Sequence, residues 1–176
     1  MHLGLLVLRL VIGLLFVGHG AQKLFGIWGG HGLKGTAGFF ESIGLRPGHF
    51  HASAAAVFEF GGGLLLALGL LTPVASLVLI ATMTAAVITV HWAKGLWNTG
   101  GGYEFNLVLA AGAFALAAIG PGNWSLDHAL KLSDHGVLWA VGALVLGLLG
   151  GIGAVLSGRL YDRQSRAAAT QRPTTA

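Results

Sequence analysis

The chain has 176 residues, of which 55% are hydrophobic and only 9% charged, and its mean hydropathy is +0.77. A soluble domain carries about a quarter charged residues, so this chain cannot cover a water-facing surface and its solvent must be largely lipid. The formal charge of +4 is spread between apolar runs and in the C-terminal tail, which excludes a nucleic-acid face and reads as a determinant of membrane topology. With no cysteine the chain can form no disulfide, iron–sulfur site or thiol couple; electrons in any redox role must reside on a bound cofactor or a partner.

The first apolar segment runs from Leu3 to about Ile27, interrupted by Arg9, His19, Gln22 and Lys23. Its basic residue lies inside the apolar run and no small-x-small cleavage site follows, so it reads as a retained membrane helix rather than a signal peptide. In the polar stretch Trp28–His51, Thr36 is placed to cap a short amphipathic helix with Phe39, Phe40 and Ile43 on one face, lying in the interface with Lys34 and Glu41 turned to water. A second helix is expected from about Ala52 to Leu71, carrying Glu59. Thr72-Pro73 reads as an N-cap followed by proline at the first helical position, opening a third helix that continues to His91. The glycine run 100–102 leads into a fourth helix, about Tyr103 to Ile119, which Gly120-Pro121-Gly122 ends. After a polar stretch, a fifth helix from Val137 to Leu156 contains no charge, and Gly147 and Gly151 form a GxxxG pair on it. The tail from 158 to 176 is polar and basic and is expected to be disordered.

Five spans place Lys23, Lys34, Arg46, Lys94, Arg159, Arg163, Arg166 and Arg172 on one side and only Arg9 and Lys131 on the other. Because basic loops stay in the cytoplasm, the C-terminus is expected inside and the N-terminus outside.

Two stretches resemble each other. His19, Lys23, Trp28 and then Phe58-Glu59-Phe60 are echoed by His91, Lys94, Trp97 and then Tyr103-Glu104-Phe105. In each half His and Lys are three or four residues apart, hence on one helical face. Two hairpins inserted in the same orientation would gather His19, Lys23, Glu59, His91, Lys94 and Glu104 near one membrane face as a candidate polar pocket. Ionisable groups inside a membrane are costly and pair or line a cavity. His and Glu there could hydrogen-bond the carbonyls of a quinone and pass protons, with a lysine stabilising developing negative charge. His and carboxylate are also ordinary metal ligands, but no tight ligand spacing such as HExxH occurs and no metal site is assigned.

Plainer readings stand beside these. Lys23 and Lys94 can snorkel at helix ends; Trp28, Trp92 and Trp97 can anchor the interface; His19 and His91 can make structural hydrogen bonds. Glu59, about 10 Å along its helix, is either a site residue or half of a buried pair with Lys23 or Lys94, and Glu104 is favoured at its helix start by the dipole alone. Arg9 shares a helical face with Gly13, Gly20 and Lys23, and it either snorkels or anchors a glycine-lined face against another helix.

Taken in order, Leu8-Arg9-Leu10 with Gly13, Phe16 to Phe25 containing His19-Gly20 and Lys23-Leu24-Phe25, Gly35-Thr36-Ala37 with Phe39-Phe40, Glu59 followed by Gly61 to Leu71, Thr72-Pro73, His91, and Gly120-Pro121-Gly122 with Trp124-Ser125-Leu126-Asp127 resemble the DoxX family. The resemblance spans residues 3 to 127. It implies a small bacterial inner-membrane protein of four helices, related to the DoxD-type subunit of thiosulfate:quinone oxidoreductase and associated with membrane redox systems. A fifth helix and basic tail depart from that pattern.

The expected architecture is therefore all-α: a polytopic membrane bundle with a four-helix DoxX-like unit (1–127), a fifth transmembrane helix and its lead-in (128–157), and the tail (158–176). The expected function is a subunit of a quinone-linked or oxidative-stress redox system, with soluble or membrane redox proteins, or a second copy, as candidate partners. Two rivals are a non-catalytic scaffold recruiting soluble redox enzymes, which loop and tail deletions would disable, and a small-solute carrier, which would show uptake into liposomes.

Overall fold

The computed structural model describes residues 2–132 and 134–170, and among them every regular element is helical. The elements are α1 (His2–Phe25), α2 (Gly32–Ser42), α3 (Gly48–Leu68), α4 (Thr72–Ala86), α5 (Glu104–Ile119), the single turn α6 (Leu126–Ala129) and α7 (Val137–Thr170). Helix α4 runs on through a π-helical turn, Val87–His91, and a 3₁₀ turn, Trp92–Lys94. With these turns included, α1, α3, α4 and α7 are long and apolar enough to cross a membrane. Helix α5, at sixteen residues, is about 24 Å long and falls short of a hydrocarbon core of about 30 Å.

Close backbone approach builds the bundle. Along α1 the buried residues Arg9, Ile12, Gly13, Phe16, Gly20 and Ala21 form one stripe, the three-four spacing of a helix face. A Cβ on Gly13 would lie 2.6 Å from the Gly63 carbonyl oxygen of α3, and one on Gly20 would overlap the Phe60 backbone, so α1 and α3 cross antiparallel with their backbones in contact. On the other side, Gly147 and Gly151 of α7 rest on Ile80, Ala81 and Thr84 of α4. Without a hydrophobic drive between helices in lipid, such small-residue contacts maximise packing. Ile12, Phe16, Leu66, Leu79, Met83, Leu109 and Leu116 fill the centre.

Three local expectations change. Helix α2 begins four residues before Thr36, whose hydroxyl donates to the Gly32 carbonyl at 2.8 Å within the helix; the glycines at 32 and 35 let the helix start early, and Thr36 and Ala37 are its buried residues. Helix α3 begins at Gly48 rather than near Ala52, with the Glu41 carboxylate accepting from the Gly48 N–H at 3.2 Å. Helix α7 does not stop near Leu156 but continues to Thr170. The reason lies in Asp162, which pairs with Arg46 of the α2–α3 loop and with Arg166 one turn on, each at 3.0 Å, while the 158 carbonyl accepts from the Arg46 N–H. An alanine run at 167–169 favours helix further. Residues 171–176, including Arg172, lie outside the described residues.

Candidate functional site

Helices α1, α3, α4 and α5 enclose a cavity of about 250 Å³ near the end of the bundle that also holds α2 and the 92–103 loop. Four of the six residues expected to form a pocket line it: His19, Lys23, Glu59 and His91. Lys23, two residues from the end of α1, donates to the Glu59 carboxylate in a salt bridge. Glu59 is 6% exposed, whereas Lys23 keeps 24% of its side chain accessible. The pair thus joins α1 to α3 with its anionic half in the wall and its cationic half toward the end of the bundle. Because α3 starts early, Glu59 sits on its twelfth residue yet only about one turn from the end of α1.

His91 closes the π-helical turn of α4, a local widening that recurs at functional positions. Its Nδ1–H donates to the Gly101 carbonyl at 2.7 Å. A carbonyl only accepts, so the neutral ring carries its proton on Nδ1 and leaves Nε2 as the acceptor for a ligand. Gly101 can present that carbonyl because its φ is +78°, a conformation glycine adopts freely.

Lys94 and Glu104 do not join the cavity. The Glu104 carboxylate accepts from the Asn98 N–H at 2.9 Å and the Glu104 N–H donates to Leu96 at 2.8 Å, so this residue closes the loop at the start of α5. Lys94 is exposed and its stem passes Gly101. The two halves of the repeated pattern are therefore not equivalent in space: Glu59 is deep in a helix and Glu104 begins one.

The rest of the wall includes Phe16 and Phe105, which belong to the sequence patterns above, and residues with no such signal. Phe16, Met83, Ala86, Phe105 and Leu109 make it largely apolar, Asn98 borders it from the loop, and Asn106 adds a carboxamide. Asn106 is buried and its Nδ2–H donates to the Met83 sulfur at 3.3 Å. The signal was present in Asn106, an uncharged polar residue in an otherwise apolar helix sequence, a feature costly in a membrane without a partner. Among the described residues no three His, Asp or Glu side chains converge as a metal-binding group.

A second polar cluster lies at the opposite end. Arg9 is 1% exposed, and its guanidinium donates to the Trp124 carbonyl beside the Asp127 carboxylate. Asp127 accepts from the Leu71 N–H at 2.7 Å, the Thr72 N–H at 3.0 Å and the Thr72 hydroxyl at 2.6 Å, satisfying the open donors at the start of α4. Its own N–H donates to Gly69, whose φ is +63°. A side chain on Gly69 would overlap the Arg9 guanidinium. Arg9 therefore does not snorkel; it fastens α1 to the α3–α4 turn and the α6 segment.

The DoxX family profile matches residues 4–92, the segment that supplies Arg9, His19, Lys23, Glu59 and His91. The chain belongs to the DoxX family. It is 34% identical over 126 residues to CatD of Bacillus subtilis, named as a candidate oxidoreductase, covering 72% of this chain and 86% of that one. It is 32% identical over 130 residues to the inner membrane protein YqjF of Escherichia coli, covering 73% and 92%. It is 31% identical over 134 residues to the uncharacterized membrane protein Rv3486 of Mycobacterium tuberculosis, covering 70% and 79%. No solved structure matches the chain. As a DoxX-family protein with these helices, it is a multi-pass membrane protein.

Proposed function

We propose that this DoxX-family chain is the ligand-binding subunit of a bacterial inner-membrane redox system and that its cavity holds a quinone ring. The observation carrying this reading is the convergence of the Lys23–Glu59 pair and His91, whose Nδ1 is taken by Gly101, on one cavity of ring-sized volume. The donor set suits both redox forms of such a ligand. The Lys23 ammonium donates to a carbonyl oxygen of the oxidised form, while Glu59 and His91 Nε2 accept from the hydroxyls of the reduced form. Apolar Phe16, Phe105 and Leu109 suit the ring faces. A bound quinone would supply the two-electron chemistry that the side chains of a cysteine-free chain lack. Electrons then come from a partner protein, and the name of the Bacillus subtilis relative is in keeping with such a role.

The test is to purify the protein in mild detergent and identify retained small molecules by mass spectrometry, with metal analysis on the same sample. The reading expects a near-stoichiometric quinone in the wild type and its loss from Glu59→Gln and His91→Ala proteins that remain folded. A wild-type protein without quinone, or retention in both variants, would count against it.

A further inference from the structure

We propose that the cavity is entered sideways from the hydrocarbon layer, through a cleft between α1 and α5, and that its ligand is a lipid-dissolved amphiphile with an apolar tail. This rests on reading the cavity as a ligand site and adds its route of entry and the class of molecule that can use it. The two helices touch where Ile12 of α1 fills the space a side chain on Gly112 of α5 would need. Just beyond, Phe16 and Leu109 are both buried in the central cluster. Toward the cavity the next residues turn outward: His19 and Phe105 both line the cavity, yet both are exposed, Phe105 by 42%. A residue that borders a cavity and also faces outward marks its opening.

The sides between α3, α4 and α5 are shut, while a second, polar opening lies at the end of the bundle, where Asn98 is exposed and Lys23 is partly accessible. Glu59, Met83 and Asn106 are buried between helices. The 92–103 loop, whose Asn98 borders the cavity, is tied down by the His91–Gly101 bond, by Glu104 on Asn98 and by the Tyr103 N–H on the Gly95 carbonyl at 3.1 Å. The outer margins of the cleft are apolar. Leu15 lies one turn from His19 and Val108 one turn from Phe105, each toward the bilayer centre, and both are exposed. A polar head at Lys23–Glu59 would leave its tail running past Leu15 and Val108 into lipid. A water-borne solute would have to desolvate to reach such a track, whereas an amphiphile already dissolved in the bilayer reaches it without exposing its tail to water.

Wild-type protein in phosphatidylcholine nanodiscs is titrated with a dimethoxy-methyl benzoquinone carrying a decyl tail and with the same ring without it. Leu15→Trp and Val108→Trp variants, which crowd the margins without touching the cavity lining, are titrated alongside. The expected result is a loss of about tenfold in affinity for the tailed probe, a difference of about 1.4 kcal/mol, with tailless binding within about twofold, which also reports that each variant is folded. Unchanged tailed binding in both variants, with the wild type binding the ring, overturns lateral entry alone. Wild-type protein that binds neither probe overturns the quinone reading and this inference with it.

Discussion

Lys23 and Glu59 form a pair whose two members stand in different surroundings. Removing one partner of a buried pair costs about 3–5 kcal/mol when the other is stranded. Lys23, a quarter exposed, can turn its ammonium to the interface, whereas Glu59 cannot leave the wall. Lys23→Met should therefore lower the melting temperature in detergent more than Glu59→Gln, and the double variant should recover part of the loss. Strictly additive shifts would mean that the two are not coupled. At the other end, Asp127→Asn replaces a carboxylate that accepts three hydrogen bonds and faces Arg9. We expect a loss of about 2–4 kcal/mol in unfolding by SDS titration, with the retained ligand unchanged, since Asp127 is remote from the cavity. A variant of native stability that has lost its ligand would contradict this assignment. Much of the site was legible at this scale because charge inside an apolar run is conspicuous: His19, Lys23, Glu59 and His91 stand out in sequence and meet in space. Glu104 stands out equally but spends its carboxylate on a loop N–H, a local choice that spacing does not reveal. The role of Asp127 has no local sequence signal, because its partners at 71 and 72 are more than fifty residues away.

Between elements, glycines decide which helices touch. Gly20 is pressed on Phe60, whereas a Cβ on Gly18, two residues earlier in the same helix, would meet nothing within 4 Å. Gly20→Leu should destabilise the bundle by about 1–3 kcal/mol through overpacking, and Gly18→Leu should stay within about 0.5 kcal/mol, both read by thermal unfolding in the same detergent. Equal effects would mean that the α1–α3 crossing is not built as described. The main membrane helices were legible from hydropathy, and so was the proline-marked start of α4, although Thr72 is not its N-cap: Leu71 stands there, and the Asp127 carboxylate takes the open backbone donors while the Thr72 hydroxyl donates to it. Helix ends were less so. Thr36 resembled a cap but lies inside α2, and the polar end of α7 resembled a loose tail. Its helical order comes from Arg46, more than a hundred residues away in sequence. The π-helical turn before His91 has no signature in hydropathy, because it adds one residue without changing the apolar pattern.

For the molecule as a whole, α1–α3 and α4–α5 are two hairpins that run in the same direction, and α7 lies parallel to α4, as the Ile80–Gly147 and Thr84–Gly151 contacts show. The ends of α1, α4 and α7, with the cavity, therefore share one end of the bundle, where Lys23, Lys34, Arg46, Lys94, Arg159, Arg163 and Arg166 also lie. We propose from this asymmetry that the cavity end and the C-terminus face the cytoplasm. Because the chain has no cysteine, a single cysteine introduced by Ser165→Cys reports orientation cleanly. It should resist a membrane-impermeant maleimide in intact cells and react after lysis. Labelling in intact cells would reverse the orientation. Such an arrangement would let a cytoplasmic partner deliver electrons near a ligand drawn from the bilayer.

The most direct test of the central claim is an equilibrium titration of the nanodisc-embedded protein with the decyl-tailed benzoquinone, comparing wild type with Glu59→Gln. The account predicts saturable binding by the wild type and a loss of about tenfold or more in the variant, or about 1.4 kcal/mol, with the helical circular dichroism unchanged. Binding of equal strength to both proteins, or none to the wild type, would contradict it.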